Sequence, residues 1–206
     1  MSAHPARHVH LETERLTLRA FTSGDADLLV ALDSDPAVMR WLTGGAATPR
    51  EEIARRILPG FIAASARGDG YGVWAAEARA TGEFLGWFAF QPIDGGAASL
   101  GYRLRRAAWG QGYATEGARA LIRQGFRELD VQRVVATTWQ DNLASQRVLE
   151  KAGLRLVRRY RLTPADLAAS VTFISDGEVW DGDDLEYAIT RSEWARQIAA
   201  EGARDG

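Results

Sequence analysis

The residues best suited to chemistry form a glycine turn, Trp109-Gly110-Gln111-Gly112-Tyr113-Ala114. An alternating run over residues 99–104 precedes the turn, and apolar residues at helical spacing follow it, which predicts strand, turn and helix in that order. Two glycines can point successive backbone N–H groups inward, and the first N–H groups of a helix carry the positive end of its dipole. The turn is therefore suited to bind phosphate oxygens, with a plain helix-entry turn as the alternative.

Two common nucleotide motifs do not match this turn. A P-loop ends in Gly-Lys-Ser or Gly-Lys-Thr, and the chain has no Gly-Lys pair. A Rossmann fingerprint needs a third glycine where Thr115 stands. The turn instead resembles the acyl-CoA loop of the GNAT N-acetyltransferases, Gln/Arg-x-x-Gly-x-Gly/Ala. Gly112, Tyr113 and Ala114 match the second half of that pattern, whereas Trp109 replaces its first residue.

A second motif of the same family lies about 30 residues after the glycine turn. Residues 141–154 resemble the pattern Asn-x-x-Ser followed by a short helix ending in Glu-Lys-x-Gly-Phe, with Asn142 and Ser145 in place and Leu154 instead of phenylalanine. Asp141 or Asn142 can cap the helix, and Gly153 can supply its left-handed end. A plain capped helix is the alternative, but the two motifs at this spacing are far more specific together.

The resemblance extends from residues 11–16 to Glu193-Trp194 and is closest to the RimJ/RimL-like branch, which acetylates amines. It implies a single N-acetyltransferase domain over residues 1–206, with a flexible tail at 1–9 and a frayed end at 197–206. The implied fold class is α/β (α+β). It has a mixed, mostly antiparallel central sheet, helices on both faces and a splayed pair of parallel strands.

The resemblance also implies how a co-substrate is held. Acetyl-CoA is expected in the gap between the parallel strands, with no metal. Its pantetheine arm is expected along the backbone of Tyr102, Arg103 and Leu104 and against Asn142, and a strand N–H near Leu104 is the expected oxyanion donor. The pyrophosphate is expected at the amides of residues 109–115, which are Trp109, Gly110, Gln111, Gly112, Tyr113, Ala114 and Thr115.

Two protons must move when an amine attacks a thioester. Many GNAT proteins protonate the departing thiolate with a tyrosine seven residues after the asparagine, where this chain has Leu149. Ser145 is therefore the candidate acid or water-holding group, and it is also expected near the cofactor. Val157 stands where the branch often has a glutamate, so the general base remains open, with Glu83 and Glu116 as candidates. The alternatives are a solvated hairpin charge at Glu83 and a carboxylate that complements the helix dipole at Glu116.

The rest of the pattern supplies the elements around these motifs. Strands are predicted over residues 10–21, 70–76, 83–93, 98–104, 133–139, 155–162 and 184–189, and helices over residues 26–32, 36–42, 50–65, about 113–129 and after 190. The strand, helix and strand around the glycine turn predict two neighbouring parallel strands. Gly117 and Gly125 lower helix propensity inside the long helix, and close packing is the expected reason.

An acidic stretch over residues 163–183 interrupts this pattern. Its carboxylates lack the EF-hand arrangement and predict a solvated loop that can border the acceptor site. There they would attract a cationic acceptor. The carboxylates concerned are Asp176, Glu178, Asp181 and Asp183.

Composition excludes several functions. The 206 residues, 46% of them apolar, fit one domain, and a net charge of −2 gives no general attraction to nucleic acid or anionic membranes. The absence of cysteine excludes disulfides, thiolate metal ligands and a cysteine nucleophile. Residues 1–10 lack an apolar signal region, and no run approaches the roughly 20 apolar residues of a membrane helix, so a cytoplasmic location is expected.

We therefore predict a monomeric or homodimeric acyltransferase that transfers the acetyl group of acetyl-CoA to a small-molecule or peptide amine by direct attack. Leu149 and Val157 cannot move protons and leave open a non-catalytic acyl-CoA-binding regulatory module. A nucleotide-phosphate enzyme is disfavoured by the missing P-loop lysine. The acceptor can be an N-terminal peptide amine, a polyamine or an antibiotic amine.

Overall fold

The computed structural model describes residues 8–161 and 182–203. Within these residues the strands are Val9–Glu12 (β1), Leu16–Ala20 (β2), Gly72–Ala78 (β3), Phe84–Ile93 (β4), Ala97–Leu104 (β5), Arg133–Trp139 (β6), Arg155–Tyr160 (β7) and Asp184–Thr190 (β8). The helices are Ala26–Asp33 (α1), Pro36–Thr43 (α2), Arg50–Glu52 (α3), Leu58–Ala66 (α4), Tyr113–Glu128 (α5), Leu143–Lys151 (α6) and Arg191–Gly202 (α7). A π-helical turn, Ile53–Ile57, joins α3 to α4.

The strands form one mixed sheet in the order β1-β2-β3-β4-β5-β6-β8-β7. All neighbouring pairs are antiparallel except β5 and β6, which are parallel. This confirms the predicted mixed, mostly antiparallel sheet and its one parallel pair. The predicted antiparallel pairing of the last two strands is also confirmed, and β8 lies between β6 and β7.

The prediction of one strand over residues 10–21 is wrong, because the segment folds into β1 and β2 around a turn at residues 13–15. Thr13 closes the turn: its backbone N–H donates to Leu16 O at 2.9 Å, and its Oγ1 accepts from Leu16 N at 2.9 Å. Because the turn is this short, apolar residues continue to alternate on both sides of it. The alternation alone therefore resembled one continuous strand.

The two faces of the sheet are covered by different helices. On one face, α5 and α6 pack over a core that includes Phe88, Phe90 and Leu121. On the other face, α1, α2 and α4 pack over a second core that includes Phe61 and Val73. Helices on both faces were predicted from the family resemblance, and the structure confirms them. None of the helices in the described residues is long and apolar enough to cross a membrane.

Helix α5 lies unusually close to the sheet, at two glycines. A Cβ added at Gly117 would overlap the Phe88 ring, and one added at Gly125 would lie 2.5 Å from Phe90 Cζ. The two glycines therefore let the aromatic rings of β4 touch the helix backbone, as the sequence predicted.

Candidate active site

A cavity of about 510 Å³ opens where the two parallel strands separate. Only Ala97–Ser99 of β5 pair with Arg133–Val135 of β6. Beyond these pairs β5 continues to Leu104 and β6 to Trp139, and the ends of both strands line the cavity. The predicted splayed pair is therefore present, and the glycine turn and α6 close the same cavity from one face of the sheet.

The free edge of β5 presents backbone groups to this gap. Arg105 donates its backbone N–H to β4 at 2.8 Å, and hydrogen-bonded residues alternate along an antiparallel pair. Arg103 therefore also directs its backbone toward β4, whereas Tyr102 and Leu104 direct theirs away from β4 and toward the gap. Trp109 Nε1 donates to Leu104 O at 2.8 Å, so the backbone N–H of Leu104 is the group left to face a ligand.

The glycine turn has the geometry of an anion site. Gly110 and Gly112 adopt left-handed φ values of 72° and 83°, which favour glycine. Gly112 caps α5 without a side-chain hydrogen bond, and the first intrahelical bond runs from Glu116 N to Gly112 O at 3.0 Å. The backbone N–H groups before Glu116 therefore have no partner in the helix. Gly110, Gly112, Ala114 and Thr115 line the cavity, as does Trp109.

Two residues of the predicted turn do not line the cavity. Gln111 Nε2 donates to Ala107 O at 2.6 Å, and Gln111 O accepts from Arg15 Nη1 at 2.9 Å. The ring of Tyr113 lies under the Arg15 guanidinium, 4.7 Å from its Cζ. Their side chains therefore brace the turn from outside, and only their backbone amides remain candidates for phosphate.

Glu116, one predicted base, is committed to holding the β1–β2 turn. Its Oε1 accepts from Thr13 Oγ1 at 2.6 Å and Arg15 N at 2.8 Å, and its Oε2 accepts from Arg15 Nε at 2.7 Å. Burial opposes ionisation of this carboxyl, but the hydrogen bonds from Thr13 and Arg15 outweigh it and lower the pKa of Glu116. A carboxylate with these three donors and a lowered pKa is poorly suited to accept a proton from an amine.

Glu83, the other predicted base, also lies outside the cavity. It follows the β3–β4 turn, and its half-exposed carboxylate pairs with Arg105 Nη1 at 2.9 Å. Neither predicted base is therefore among the residues that line the gap.

The second motif brings two hydroxyl groups together in the cavity. Asn142 caps α6 by accepting from Ser145 N at 3.2 Å. The hydroxyl of Ser145 lies 3.0 Å from the hydroxyl of Tyr102, which also donates to Ser145 O at 3.3 Å. Burial raises the pKa of Tyr102 to about 12, and its bond with Ser145 opposes this only in part. Leu149, where the family often has a tyrosine, is 1% exposed in the core.

The Tyr102 hydroxyl is a candidate functional group that sequence reasoning missed. The sequence predicted only a backbone role for Tyr102, and 43 residues separate it from Ser145. No local pattern relates two positions so far apart. A family alignment with both positions marked as polar is the kind of signal that would have found the pair.

Arg103 reaches the cavity through its side chain. Its Nη1 donates to Asp33 Oδ1 at 2.6 Å, and Asp33 Oδ2 accepts from Thr48 Oγ1 at 2.9 Å. The guanidinium also lies 5.2 Å from the centre of the Trp87 ring. Because Asp33 and Thr48 are buried, this network fixes the Arg103 guanidinium at the cavity wall with its charge paired to Asp33.

The cavity wall outside the glycine turn includes α2 and the ends of β6 and β8, and we call this part the second end of the cavity. Trp41 of α2, Trp139 of β6 and Asp184 of β8 line it. Burial and the neighbouring Asp183 raise the pKa of Asp184 to about 6. Asp183 pairs with Arg159 at 3.5 Å and with Arg161 at 3.7 Å.

The other three carboxylates predicted to border the acceptor site lie outside the described residues. They are Asp176, Glu178 and Asp181. Across residues 8–161 and 182–203, no three His, Cys, Asp or Glu side chains come together as a metal site.

Comparison with known proteins assigns the family. Residues 15–155 match the family model described as the acetyltransferase (GNAT) domain. The chain is 31% identical to the FsC-acetyl coenzyme A-N(2)-transacetylase of Aspergillus fumigatus, over 90% of this chain and 78% of that protein. The chain therefore belongs to the GNAT acetyltransferase family. It is an acyltransferase that uses acetyl-CoA, as the sequence predicted.

Solved structures share the same fold. A GNAT-family acetyltransferase from Bacillus anthracis superposes with a TM-score of 0.72 at 24% identity, covering 88% of this chain and 98% of the other. RimL, a ribosomal L7/L12 alpha-N-protein acetyltransferase in complex with coenzyme A, superposes with a TM-score of 0.69 at 23% identity, covering 89% and 98%. These similarities establish the GNAT fold of this chain.

Proposed function

We propose that this protein is an N-acetyltransferase that transfers the acetyl group of acetyl-CoA to a primary amine by direct attack. The observation that carries the proposal is the cavity between β5 and β6. Unpartnered turn amides border one part of it, and the Tyr102–Ser145 hydroxyl pair borders the same gap. A phosphate-bearing thioester needs both features, one to anchor it and one to receive the leaving sulfur.

The cavity offers each part of acetyl-CoA a complementary group. The Trp109 N–H, one of the predicted donors, already donates to Arg106 O at 3.1 Å. The pyrophosphate therefore accepts hydrogen bonds from the backbone N–H groups of residues 110–115 at the start of α5. The pantetheine arm runs along the free edge of β5, where the Tyr102 and Leu104 backbones face the gap. Asn142 uses its Oδ1 to cap α6, so its NH₂ group is the part that binds the arm.

In the reaction, the amine nitrogen attacks the thioester carbonyl and a C–N bond forms. The carbonyl oxygen becomes negative, and the backbone N–H of Leu104 donates to it, an interaction worth about 3 kcal/mol in other enzymes. The C–S bond then breaks, and the sulfur takes a proton from the Tyr102–Ser145 pair. Because the pKa of Tyr102 is about 12, its hydroxyl remains protonated at neutral pH and the proton is available.

Amine acceptors of two kinds are consistent with the comparisons. The Aspergillus relative is named for transfer to FsC, and RimL is named for an N-terminal amine of ribosomal L7/L12. RimL among the structures of this fold supports a place near the RimJ/RimL-like branch. We accordingly propose a single catalytic domain over residues 1–206, monomeric or homodimeric, that acts on small-molecule or peptide amines in the cytoplasm.

The test is release of coenzyme A from acetyl-CoA, followed with a thiol reagent. Amines to be supplied are a tripeptide with a free N-terminal serine, spermidine and tyramine, with product mass checked by mass spectrometry. We expect amine-dependent thiol release and a product 42 Da heavier, roughly the mass of an added acetyl group. Tight binding of acetyl-CoA by calorimetry, with no release for any amine, would instead support the non-catalytic acyl-CoA-binding module.

A further inference from the structure

The proposed reaction needs a group that takes a proton from the amine, and the two predicted carboxylates do not reach the cavity. Among the described residues, one acidic side chain does line it, that of Asp184. Within the described part of the chain, its carboxylate has no hydrogen bond or ion pair. Asp184 is half-buried. A carboxylate removed this far from water without a cationic partner is unusual unless a ligand supplies the partner.

Asp184 lies on the opposite side of the gap from the hydroxyl pair. It is the first residue of β8 and lies directly opposite Trp139 at the end of β6. Side chains alternate along a strand, and Tyr187, three residues further on, extends its hydroxyl to within 3.5 Å of Glu150 on α6. The side chain of Asp184 therefore points to the face opposite α6, whereas Tyr102 meets Ser145 on the α6 face.

We propose that Asp184 binds the ammonium group of the acceptor and removes its proton before the nitrogen attacks the thioester. This inference rests on the proposed acetyl transfer and names the acceptor as a cationic primary amine. The carboxylate takes one proton from R–NH₃⁺, which leaves the nitrogen lone pair free to form the C–N bond. The carboxyl group loses that proton to water when the acetylated product leaves.

The charges around Asp184 suit this role. Burial and the adjacent Asp183 raise its pKa to about 6, so the carboxylate is ionised at neutral pH and protonated in mild acid. Asp183 is itself paired with arginines of the β7 region, and the Arg103 charge is held by Asp33. Among the described residues, the remaining titratable groups on the cavity wall or paired with the Asp184 backbone are Tyr102, Arg147, Lys151 and Tyr160.

The test compares Asp184→Asn with Asp183→Asn, which removes the same charge from the adjacent residue. For the best amine of the panel, kcat/KM of the wild type should fall as the pH drops through about 6. This fall is the acid limb of the pH profile. Asp184→Asn should lower kcat/KM for the amine about 100-fold at pH 7 and abolish that limb. The loss should shrink above pH 9, where more of the amine is already neutral. The KM for acetyl-CoA should change less than about twofold, because the turn amides are untouched.

Several results would overturn the inference. One is a pH profile of kcat/KM that is unchanged in Asp184→Asn. Another is an equal loss of kcat/KM in Asp183→Asn, which would assign the effect to the general negative charge of this region. If Asp184→Asn does not fold, Asp184→Glu is used to test the role of the carboxylate. It should keep the acid limb with a reduced kcat, and loss of the limb in a folded Asp184→Glu would contradict the role. A wild type that releases no coenzyme A with any amine contradicts the acetyl transfer itself.

Discussion

The two ends of the cavity are built in different ways. At the glycine turn, the groups offered to a ligand are backbone N–H groups of consecutive residues at the start of α5. At the other end, the groups are side chains from α2, β6 and β8: Trp41, Trp139 and Asp184. The first end needs a local backbone shape, and the second needs distant segments to converge. Only the first kind of site leaves a motif in the sequence.

This difference also explains which substitutions each end tolerates. The family pattern has Gln or Arg where this chain has Trp109, yet the turn keeps its shape because the Trp109 indole bonds Leu104 O. At the other end, 98 residues separate Trp41 from Trp139, and 45 separate Trp139 from Asp184. Changes at this end alter a ligand contact directly, so we expect it to determine which amine enters.

The largest effect on ligand binding is expected from a substitution in the glycine turn. Gly112→Glu adds a negative charge to the proposed phosphate site and places a side chain on a residue with φ of 83°. Its Cβ would also lie 3.3 Å from Arg15 Nη2. We expect coenzyme A to bind about 100-fold more weakly, or ~2.8 kcal/mol, by calorimetry.

A matched control separates this effect from backbone strain. Gly95 has φ of 76°, lies in the β4–β5 turn and has no atom within 4 Å of an added Cβ. Gly95→Glu should cost similar backbone strain and leave coenzyme A affinity unchanged. Equal affinity in folded Gly112→Glu and wild type would remove the phosphate from this turn.

The next largest effect is expected on kcat, from changes to the Tyr102–Ser145 hydroxyl pair. Tyr102→Phe and Ser145→Ala should each lower kcat about 30-fold and leave the KM for acetyl-CoA within about threefold, because the proton is needed only as the C–S bond breaks. If the two hydroxyls act as a unit, the double variant should lose no more than the larger single loss.

Tyr71→Phe is the control for this cycle. The Tyr71 hydroxyl lies 3.5 Å from Leu129 O, outside the set of residues that line the cavity. Its removal should leave kcat unchanged. Additive losses in the double variant would show that Tyr102 and Ser145 act separately, and wild-type kcat in both single variants would assign the proton to water.

Much of the fold followed from local pattern. The predicted strand over residues 133–139 matches β6, because a Val- and Thr-rich run between loops needs no further information. Gly117 and Gly125 were correctly attributed to close packing. The β1–β2 turn was missed because a threonine side chain replaced the usual turn residues. Local structure could therefore be predicted from the sequence, except at this turn, where the Thr13 side chain makes a hydrogen bond with the backbone.

The site was readable to a lesser extent. The glycine turn was identified and the cap of α6 was narrowed to Asp141 or Asn142, because neighbouring residues form both features; the structure selects Asn142. Glu116 remained a candidate base in the sequence analysis. Its partners, Thr13 and Arg15, lie about 100 residues away, and no sequence pattern shows these contacts. The Tyr102–Ser145 contact, and the lack of a partner for Asp184 among the described residues, depend on tertiary structure in the same way. Contacts between residues that are distant in the sequence therefore could not be predicted from it.

A smaller effect is expected at Glu116, and it concerns stability. Glu116→Gln removes a carboxylate with three donors and should lower the free energy of unfolding by about 1 kcal/mol at pH 7. Because folding lowers the pKa of Glu116, its contribution is complete above the ordinary glutamate pKa and is lost as the pH falls through the lower folded value.

The Glu116 measurement is thermal unfolding of wild type and variant between pH 3 and pH 7. The difference in Tm should be constant near neutral pH and shrink in acid. Glu14→Gln removes an exposed carboxylate from the same turn and should have little effect. A loss of the acid limb of kcat/KM in Glu116→Gln would restore this residue as the base and contradict the anchoring role.

The smallest effect tests the comparison of the two ends directly, with one tryptophan from each. Trp41 lines the acceptor end, and its loss removes apolar contact with the amine substituent, so Trp41→Ala should raise the amine KM about fivefold. Trp109→Ala breaks the bond to Leu104 O beside the glycine turn and should raise the KM for acetyl-CoA about fivefold instead. Each variant should leave the other KM within about twofold, because the two side chains belong to different parts of the cavity wall. Parallel rises in both KM values in either variant would show that the two ends are not separate sites.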